Sequence, residues 1–410
     1  MKFSELDGKR IALWGLGRET TAFRDQLEQR LPSAKITAVI DDSTPEPEAR
    51  AEIANADVLV RSPGVSLYKP LIQDAIGAGK IVTTATGLWL AEREGHHVIG
   101  VTGTKGKSTT ATVIAHLLSQ LRPDTELAGN IGRPVIELLD LAGAGARNDA
   151  WVVCELSSYQ LADLTTGPEV AVLTNLYREH TDWHGSEAQY RADKLRIFEL
   201  PGTRIAVRPP DGGWPVTFAP GELPLRGRHN AQNVAAALAA IEAAGFQPPA
   251  LPEALMGLPP LPHRLQTVHT DEHGNEWVDD SISTTPESTI AALDAFGDRQ
   301  VVLIAGGSER QQDYDSLGRA LAGRSAGTAL VYLPDTGPLI AAAAIVHRLS
   351  PQLARPARDM ETAVAIAAEM STPGGVVLLS PAAPSFNAYK DFEERGDDFA
   401  ACAKAVALRA

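Results

Sequence analysis

The stretch from residue 103 to residue 109, Gly-Thr-Lys-Gly-Lys-Ser-Thr, has the residue types and spacing of a phosphate-binding loop. An apolar run from Val98 to Val101 precedes it and predicts a strand, and a helical pattern follows it. A strand that leads through a glycine-rich turn into a helix N-terminus binds anions, because backbone N–H groups and the helix dipole point at them. Lys107 would reach the outer phosphates of a nucleotide, and the Ser108 hydroxyl would bind Mg²⁺. The strict motif has glycine where Val101 stands, so a glycine-rich turn beside a solvated lysine remains the alternative.

Polar residues also follow two later strands of the same block. Glu155 ends an apolar strand predicted over residues 150–155, and an acid there is a common second ligand of phosphate-bound Mg²⁺. The alternative is a solvated acid at a strand end. The segment from Leu173 to His184 places two histidines and two acids after the next strand. That composition suits metal or phosphate contacts, although by itself it would be an ordinary polar loop.

A lysine on an apolar helix face is the next candidate. Ser186 and Gln189 have the spacing of a capping box, which predicts a helix start. Tyr190, Lys194 and Ile197 then share one face with Phe198. Most such lysines extend their ammonium group to water. A desolvated lysine loses its proton more easily, and its neutral amine can react with CO₂ to form an anionic carbamate that binds metal.

The N-terminal part of the chain carries half of a dinucleotide fingerprint. Gly15 and Gly17 follow a predicted strand, but Thr20 stands where the third glycine belongs. Asp41 and Asp42 close the next strand, about where a ribose-binding acid would lie. An NAD site, another nucleotide site and a simple tight turn all remain open. The loop from Ser62 to Gly64 ends a third strand at the same predicted edge.

Further polar residues lie in the last third of the chain. Residues 229–233, His-Asn-Ala-Gln-Asn, open an alanine-rich helix and could contact a base or phosphates, although Asn230 is also a fair N-cap. Arg264 follows a proline-rich linker over residues 258–263 and could bind a phosphate bidentately, through two N–H groups of its guanidinium. The loops at residues 306–310 and 380–386 follow strands, where parallel sheets bind ligands.

Alternating strands and helices organise the whole chain. With 410 residues, it is long enough for two or three domains, and three blocks of βα alternation predict parallel sheets covered on both faces. We expect three consecutive α/β domains: a Rossmann-like domain at residues 1–93, a central phosphate-loop domain at 94–261 and a second Rossmann-like domain at 262–410.

The composition narrows the class of protein. A net charge of -14 argues against a general nucleic-acid binder, and two cysteines provide neither a disulfide framework nor metal-ligand spacing. No signal-peptide core and no apolar run of about 20 residues are present, so we expect no membrane insertion and a cytoplasmic protein.

Taken together, these residues resemble the muramyl ligases of peptidoglycan synthesis, of the type that adds glutamate to UDP-N-acetylmuramoyl-L-alanine. The resemblance covers nearly the whole chain, and the combination of motifs is specific although no single motif is. The matching segments occur in family order: Gly103-Thr-Lys-Gly-Lys-Ser-Thr109, Ala128-Gly-Asn-Ile-Gly132, Glu155-Leu-Ser-Ser-Tyr-Gln-Leu161, Thr174-Asn175, His180, Tyr190-Arg-Ala-Asp-Lys-Leu-Arg196, His229-Asn-Ala-Gln-Asn233, Leu261-Pro-His-Arg264, Asp280-Ser281, Gly306-Gly307 and Leu379-Ser-Pro-Ala382.

The resemblance implies roles for these residues. It implies catalytic roles for Lys107, Lys194 and His180. It implies two Mg²⁺ ions, with Ser108, Glu155, His180 and a carbamylated Lys194 as their protein ligands. ATP would be bound by Gly103, Thr104, Lys105, Gly106, Lys107, Ser108, Thr109, Asn230, Asn233, Arg264 and Asp280. The UDP end of the nucleotide sugar would be bound by Gly15, Gly17, Asp41, Ser62 and Gly64, the acceptor by Asn130, and the amino acid by Thr284, Arg310, Ser385 and Phe392.

The implied reaction is ATP-driven amide formation through an acyl phosphate, carried out by a monomer. Ile282 stands where D-glutamate-adding members carry a lysine that holds a substrate carboxylate, and Arg310 stands near the place of a second missing lysine. Glu179 replaces the usual aspartate before His180. We therefore expect L-glutamate as the substrate, with a separate epimerase inverting the product. The alternatives are D-glutamate, a folylpolyglutamate synthetase-like ligase and an inactive nucleotide-binding module.

Overall fold

The computed structural model describes residues 1–142, 149–177, 179–218, 222–259 and 261–407. Arg178, in the polar segment after Leu173, and Pro260, in the proline-rich linker, lie outside the described residues. The chain divides into two compact units. Unit 1 comprises Met1–Pro224 and Asn230–Leu258, and unit 2 comprises Leu225–His229 and Pro259–Ala410. No helix in the described ranges has both the length and the apolar character needed to cross a membrane.

Unit 1 begins with a four-stranded parallel sheet in the order β2-β1-β3-β4. Its elements are β1 (Arg10–Trp14), α1 (Arg18–Arg30), β2 (Lys35–Ile40), α2 (Glu46–Asn55), β3 (Val58–Arg61), α3 (Pro70–Gly77), β4 (Ile81–Thr83) and α4 (Ala85–Arg93), preceded by a 3₁₀ helix at Ser4–Leu6. The strand order reverses beside β1, so the loops after β1 and β3 flank the point where such sheets bind ligands.

A five-stranded parallel sheet, in the order β6-β7-β5-β8-β9, follows in the same unit. Its elements are β5 (Val98–Thr102), α5 (Lys107–Leu121), β6 (Glu126–Gly129), β7 (Val152–Glu155), α6 (Ser158–Leu161), β8 (Val170–Leu173), α7 (Thr181–His184), α8 (Glu187–Leu195), β9 (Ile205–Val207) and α9 (Arg228–Ala243), with 3₁₀ helices at Val135–Leu141, Arg196–Phe198 and Glu253–Leu255. The loops after β7 and β8 therefore flank the loop after β5.

Unit 2 contains a six-stranded sheet in the order β10-β11-β15-β12-β13-β14, in which only β10 is antiparallel. Its elements are β10 (Gln266–Thr270), β11 (Glu276–Asp279), α10 (Pro286–Asp294), β12 (Val301–Gly307), α11 (Asp315–Gly323), β13 (Thr328–Asp335), α12 (Gly337–Val346), β14 (Ala354–Pro356), α13 (Met360–Met370), β15 (Val376–Leu379) and α14 (Phe392–Ala407), with a 3₁₀ helix at Pro351–Leu353.

Four strands that the sequence did not reveal are all edge strands. They are β6, β9, β10 and β14, which lie at the two ends of the second and third sheets. The central strands β5, β7, β8 and β12 are buried along their whole length, so they appear as continuous apolar runs. The edge strands are short and partly exposed, and β14 ends on a proline, which only an edge tolerates. Their sequences therefore lack the apolar run that indicates a strand.

Some local predictions were wrong in detail. Asn230 is not an N-cap, because α9 begins at Arg228 and places it inside the helix. Ser186 caps α8 by accepting the Gln189 N–H, but the Gln189 side chain turns to Asp193 instead of completing a capping box. Cys402 is only half-buried, whereas Cys154 is a core thiol as expected.

A buried ion pair joins the two sheets of unit 1. The Arg61 side chain at the end of β3 has no exposed surface, and its Nε lies 2.8 Å from Asp163 Oδ2, which follows the second sheet's α6. The same guanidinium donates to the carbonyl oxygens of Val65 and Tyr159. Burial raises the pKa of the Asp163 carboxyl, and the Arg61 charge opposes that shift. The pair therefore fixes where the loop after β3 meets the second sheet.

We predict that Arg61→Met lowers the free energy of unfolding by about 3–5 kcal/mol, because it leaves the Asp163 carboxylate buried without its cation. Arg10→Met is the matched control, since Arg10 forms a 2.9 Å ion pair with Asp57 in which both side chains are at least one-third exposed. We expect that control to cost less than about 1 kcal/mol. Urea unfolding followed by tryptophan fluorescence measures both, and equal losses in the two variants would contradict the prediction.

Candidate active site

The loop between β5 and α5 has two glycines at positive φ, where a larger residue would be strained and crowded. Gly106, the N-cap of α5, has φ 79°, and a Cβ built on it would overlap the Asn233 side-chain amide. Gly103 has φ 150°, and its Cβ would overlap the Thr174 hydroxyl. The backbone thus passes close to side chains of two other elements. This is the close packing that a phosphate-binding loop needs to direct its N–H groups at an anion.

Residues after β8 hold the loop from the other side. The Asn175 side-chain oxygen accepts the Lys105 N–H at 2.8 Å, and its Nδ2 donates to the Lys105 carbonyl at 3.0 Å. The Thr174 hydroxyl donates to the same carbonyl at 2.6 Å, and the Thr104 N–H donates to the Asn175 carbonyl. Thr174 and Asn175 were not among the predicted site residues. Their position just after a strand beside β5 was the signal that could have identified them.

The polar side chains of the loop are partly committed to protein partners. Lys107 Nζ donates to the Thr104 carbonyl at 3.0 Å, and Lys105 Nζ lies 2.6 Å from Glu179 Oε1. Ser108 is half-buried at the start of α5. The Thr109 hydroxyl is buried and has no hydrogen-bond partner within the described part of the chain. Two lysines and a hydroxyl therefore surround the helix N-terminus, as the predicted phosphate site requires.

Glu155 is a buried acid with one unsatisfied oxygen. Its side chain lies at the end of β7 and is 1% exposed. Oε1 accepts a hydrogen bond from Asn130 Nδ2 at 2.9 Å, whereas Oε2 is buried with no hydrogen-bond partner among the described residues. A buried carboxylate oxygen without a donor is unfavourable unless a cation binds it. The chemistry of this oxygen fits Mg²⁺, which prefers carboxylate ligands together with substrate phosphates.

Lys194 is buried beside the loop. It is 1% exposed, and its Nζ donates to the Gly103 carbonyl at 2.9 Å. The ammonium also lies 5.2 Å from the centre of the Tyr190 ring. Burial, reinforced by the Lys107 charge, holds the pKa of Lys194 well below its usual range. The structure therefore provides the desolvated lysine that carbamate formation requires.

His180 lies on the same side of the loop. Its Nδ1 is 2.9 Å from the Tyr159 hydroxyl, and its Nε2 is 3.5 Å from Glu179 Oε2. Burial lowers the pKa of His180 to about 4, although Glu179 opposes the shift. The imidazole is therefore neutral at pH 7 and adds no positive charge to the lysine cluster.

The predicted metal ligands do not form a complete protein site. Within the described ranges, no three His, Cys, Asp or Glu side chains are close enough together to hold a metal ion. Of the four predicted ligands, only Glu155 offers an unpaired buried oxygen. A cation here would take most of its ligands from phosphate and water, which is usual for Mg²⁺.

A cleft opens between the loops of the two sheets in unit 1. Its lining includes the predicted residues Ser62, Gly64 and Asn130, and also Arg18, Glu19, Pro63, Gly129, Pro134, Ser157, Tyr159 and Gln160. Gly15 has φ 81°, and a Cβ there would lie 2.9 Å from Val65 Cγ2 and 3.1 Å from Ser62 Cβ. The Gly15 and Ser62 N–H groups donate to the ends of β2 and β1 respectively, which brings these loops together. A Cβ on Gly17 would approach the Ser62 hydroxyl to 3.0 Å.

Asp41 is not among the residues that line this cleft. Its carboxylate accepts the Ser43 N–H at 2.8 Å and the Ser43 hydroxyl at 2.6 Å, which lowers the pKa of Asp41. It therefore stabilises its own turn after β2. Glu19 and Gln160, by contrast, were missed: Gln160 Nε2 donates to Glu19 Oε2 at 2.9 Å on the wall of the cleft. Glu19 lies on the first turn of α1, where sequence alone gives no reason to single it out.

The remaining predicted residues belong to unit 2, apart from Asn230 and Asn233 in unit 1. Asp280 follows β11 and accepts the Ser380 hydroxyl at 2.8 Å, and burial raises the pKa of Asp280 to about 6. Ile282 donates its N–H to the His263 carbonyl. Arg264 follows His263 and lies close enough to Asp280 for its charge to oppose the rise in the carboxyl's pKa.

The predicted amino-acid-binding residues lie around the ends of β11, β12 and β15. The Thr284 carbonyl accepts from Gln312 Nε2, and Arg310 lies 5.8 Å from the centre of the Phe386 ring. Ser385 is buried, and the Phe392 ring meets His263 edge-on. Their side chains follow parallel strands, where an open sheet binds ligands.

Comparisons with known proteins agree with this architecture. Residues 101–219 match the Mur ligase middle domain, and residues 263–383 match the Mur ligase glutamate ligase domain. A UDP-N-acetylmuramoyl-L-alanine–L-glutamate ligase of Xanthomonas euvesicatoria pv. vesicatoria is 36% identical, covering 98% of this chain and 96% of that protein. The protein of the same name from a Micromonospora species is 37% identical over 98% and 97%.

Two solved structures share the fold. The UDP-N-acetylmuramate–alanine ligase of Thermotoga maritima is 17% identical with a TM-score of 0.61, covering 97% of this chain and 100% of that chain. The MurF ligase of Thermotoga maritima, solved in complex with ADP, is 16% identical with a TM-score of 0.58 and full coverage of both chains. The fold is three successive α/β domains, and the chain belongs to the Mur ligase family.

We predict that Gly106→Ala weakens ATP binding about tenfold or more, because strain of about 1–3 kcal/mol at a positive φ adds to the overlap with Asn233. Gly79→Ala is the matched control, since Gly79 has φ 80° but no atom within 4 Å of the position that a Cβ would take. Isothermal titration calorimetry with ATP and Mg²⁺ compares the two variants. Unchanged affinity in Gly106→Ala would show that the loop does not bind the nucleotide.

Proposed function

We propose that the protein is an ATP-dependent ligase that joins L-glutamate to UDP-N-acetylmuramoyl-L-alanine in peptidoglycan precursor synthesis. One observation carries the proposal: the phosphate loop, the unpaired Glu155 oxygen and the buried Lys194 surround one place in unit 1. The names of the full-length relatives supply the substrates. The cleft lined by Ser62, Gly64 and Asn130 is the site we assign to the nucleotide sugar.

The chemistry is amide formation through an acyl phosphate. The alanyl carboxylate attacks the γ-phosphorus of ATP, and the bond from that phosphorus to the bridging oxygen breaks to release ADP. The glutamate amine then attacks the acyl carbonyl, loses its proton and displaces inorganic phosphate. Positioning and neutralisation of phosphate charge supply most of the rate in such reactions. The loop N–H groups and Lys107 serve both purposes here.

The charges around the loop suit a bound triphosphate. Lys105 and Lys107 belong to the loop itself, and neutral His180 adds no further charge. Ser108 and Glu155 would hold Mg²⁺, which would neutralise the charge that develops on the transferred phosphate. A carbamate on Lys194 would replace a poorly solvated cation by an anion, and with His180 it would offer ligands for a second Mg²⁺. Asn230, Asn233, Arg264 and Asp280 would bind the rest of the ATP.

The amino-acid pocket distinguishes this chain from D-glutamate ligases. Ile282 stands where those enzymes are expected to have a lysine, and an aliphatic side chain cannot pair with a carboxylate. Thr284, Arg310, Ser385 and Phe392 remain as the polar and aromatic lining we assign to glutamate in unit 2. Because the segments assigned to ATP and the nucleotide sugar resemble the family motifs while Ile282 departs from them, we infer that the altered specificity concerns the amino acid.

The cellular setting follows from the same proposal. We infer that the enzyme acts as a monomer in the cytoplasm, and that an epimerase inverts its product. We retain domain boundaries at residues 1–93, 94–261 and 262–410, since each range contains one sheet. The division into two compact units groups the first two of these ranges together.

Separate assays with each glutamate enantiomer test the substrate. With ATP, Mg²⁺ and the alanyl nucleotide, we expect phosphate release and ligated product with L-glutamate and at least about 100-fold slower turnover with D-glutamate, the ratio that about 2.7 kcal/mol of lost contacts produces. Ile282→Lys is the informative variant, because a cation in this pocket should reduce the preference for L-glutamate. Turnover of the wild type with D-glutamate alone would overturn the choice of substrate.

Lys194→Arg tests the carbamate. Arginine can donate a hydrogen bond as Lys194 does but cannot form a carbamate, so we expect ligation to fall by about two orders of magnitude or more, as when an electrostatic catalytic group is lost. Removing bicarbonate should slow the wild type and leave the variant unaffected. Native mass spectrometry should detect added CO₂ only in the wild type. Lys35→Arg, at an exposed lysine of β2, is the control. Full activity of Lys194→Arg would contradict the proposal.

A further inference from the structure

A chain of buried and partly buried hydrogen bonds joins segments that also carry His180 and Lys194. His184 Nδ1 is 2.6 Å from Asp193 Oδ2, and His184 Nε2 is 3.0 Å from the Ser158 hydroxyl. The Tyr68 hydroxyl donates to both Asp193 oxygens at 2.7–2.8 Å. Ser158, His184 and Asp193 are each 2% exposed. We call these four residues the buried network.

The order serine–histidine–aspartate is that of a hydrolase triad, but burial excludes that chemistry. A nucleophilic serine must meet a substrate carbonyl beside an oxyanion site, and Ser158 is enclosed on the first turn of α6. Asp193 can still do what the acid of a triad does, which is to hold one tautomer and one orientation of the imidazole. The buried network can therefore orient other side chains but does not react with a substrate.

Each member belongs to a segment that carries a site residue. Ser158 follows Glu155 by three residues, on α6. His184 ends α7, which begins directly after His180, and Asp193 precedes Lys194 on α8. Tyr68 comes from the loop after β3, four residues beyond Gly64 in the cleft. The hydrogen bonds of the buried network thus join four segments, each of which carries a predicted site residue.

Neighbouring contacts tie α7 to the cleft as well. The Trp183 indole N–H donates to the Gly64 carbonyl at 3.1 Å, and the Ser66 hydroxyl donates to the Trp183 carbonyl at 2.6 Å. The Trp183 ring stacks on Tyr159 with centroids 4.5 Å apart, and the Tyr159 hydroxyl meets His180 Nδ1. The one-turn helix α7 therefore contacts the cleft loop through Trp183 and, through Tyr159, is linked to His180 beside the phosphate loop.

We propose that Asp193, with His184, Ser158 and Tyr68, forms a positioning network that fixes His180 and Lys194 relative to the nucleotide-sugar cleft. This inference rests on the proposed function for its kinetic consequences. Burial and Asp193 together raise the pKa of Tyr68, so Tyr68 stays protonated and remains a donor. Asp193 accepts from both Tyr68 and His184, so two members of the buried network donate to one carboxylate.

The decisive variant is Asp193→Asn, which keeps the size of the side chain and replaces one acceptor oxygen by a donor. His184 and Tyr68 both donate to Oδ2, so in the variant they meet either an uncharged amide oxygen, which binds them more weakly, or an NH₂ group, which opposes the His184 N–H. We expect kcat to fall about 10- to 100-fold with the KM of ATP and of the nucleotide sugar within about threefold, because misplacement of the reacting groups by about 1 Å has that effect. Gln189→Ala is the matched control, since it removes a hydrogen bond to the same carboxylate from a partly exposed residue, and we expect kcat within about twofold of the wild type.

Crystal structures of the two variants provide a readout that needs no substrate. The inference expects the Lys194 ammonium in Asp193→Asn to leave the Gly103 carbonyl, or the His180 ring to leave Tyr159, while both contacts persist in Gln189→Ala. If Asp193→Asn does not fold, Tyr68→Phe removes a single hydroxyl from the same carboxylate and is measured in its place. Unmoved His180 and Lys194, or a kcat equal to that of Gln189→Ala, would overturn the inference. Failure of the wild type to ligate would contradict the proposed function instead, and the crystallographic comparison would still decide the positioning role.

Discussion

The close approach of the phosphate loop to its neighbours is the constraint on which the site depends. Gly103 and Gly106 lie against Thr174 and Asn233, so a larger residue at either position would crowd these side chains. That path brings the N-terminus of α5 to the edge where β5, β7 and β8 end. The side chains at the ends of those strands, Glu155 among them, therefore lie in one region, because parallel strands end at one edge of a sheet.

Charge is the second organising factor. Lys105, Lys107 and Lys194 all lie in or beside the loop, and their side chains bond to Glu179, the Thr104 carbonyl and the Gly103 carbonyl respectively. Lys105 is paired with Glu179, whereas burial makes the positive form of Lys194 unfavourable. The buried Glu155 oxygen that has no partner among the described residues suits a phosphate–Mg²⁺ complex beside these lysines. Burial and the Lys107 charge both favour loss of a proton from Lys194, which would be the first step toward a carbamate.

In the proposed assignment, the residues for specificity and those for catalysis lie in different parts of the chain. The loops that follow the first two sheets contain the phosphate site and the cleft, and they belong to one compact unit. The residues assigned to glutamate belong to the other unit. A change such as Ile282 can therefore alter the amino acid without disturbing Lys107 or Glu155. Within unit 1, Trp183 and the buried network link the cleft to the phosphate site. We therefore expect a change in the structure of one of these parts to alter the other.

The sequence by itself determined the phosphate loop, the central strands and the order of the three sheets, because buried parallel strands and glycine-rich turns leave local patterns. It did not reveal β6, β9, β10 and β14, whose stability comes from pairing with a neighbour and not from their own apolar residues. Only the tertiary structure showed that Asp41 stabilises its own turn and that Thr174 and Asn175 bond to the phosphate loop. It also showed that His184 is hydrogen-bonded to Asp193, the residue before Lys194. Those contacts join residues far apart in the chain or turned inward by folding, and no local pattern encodes which distant partner a polar side chain will meet.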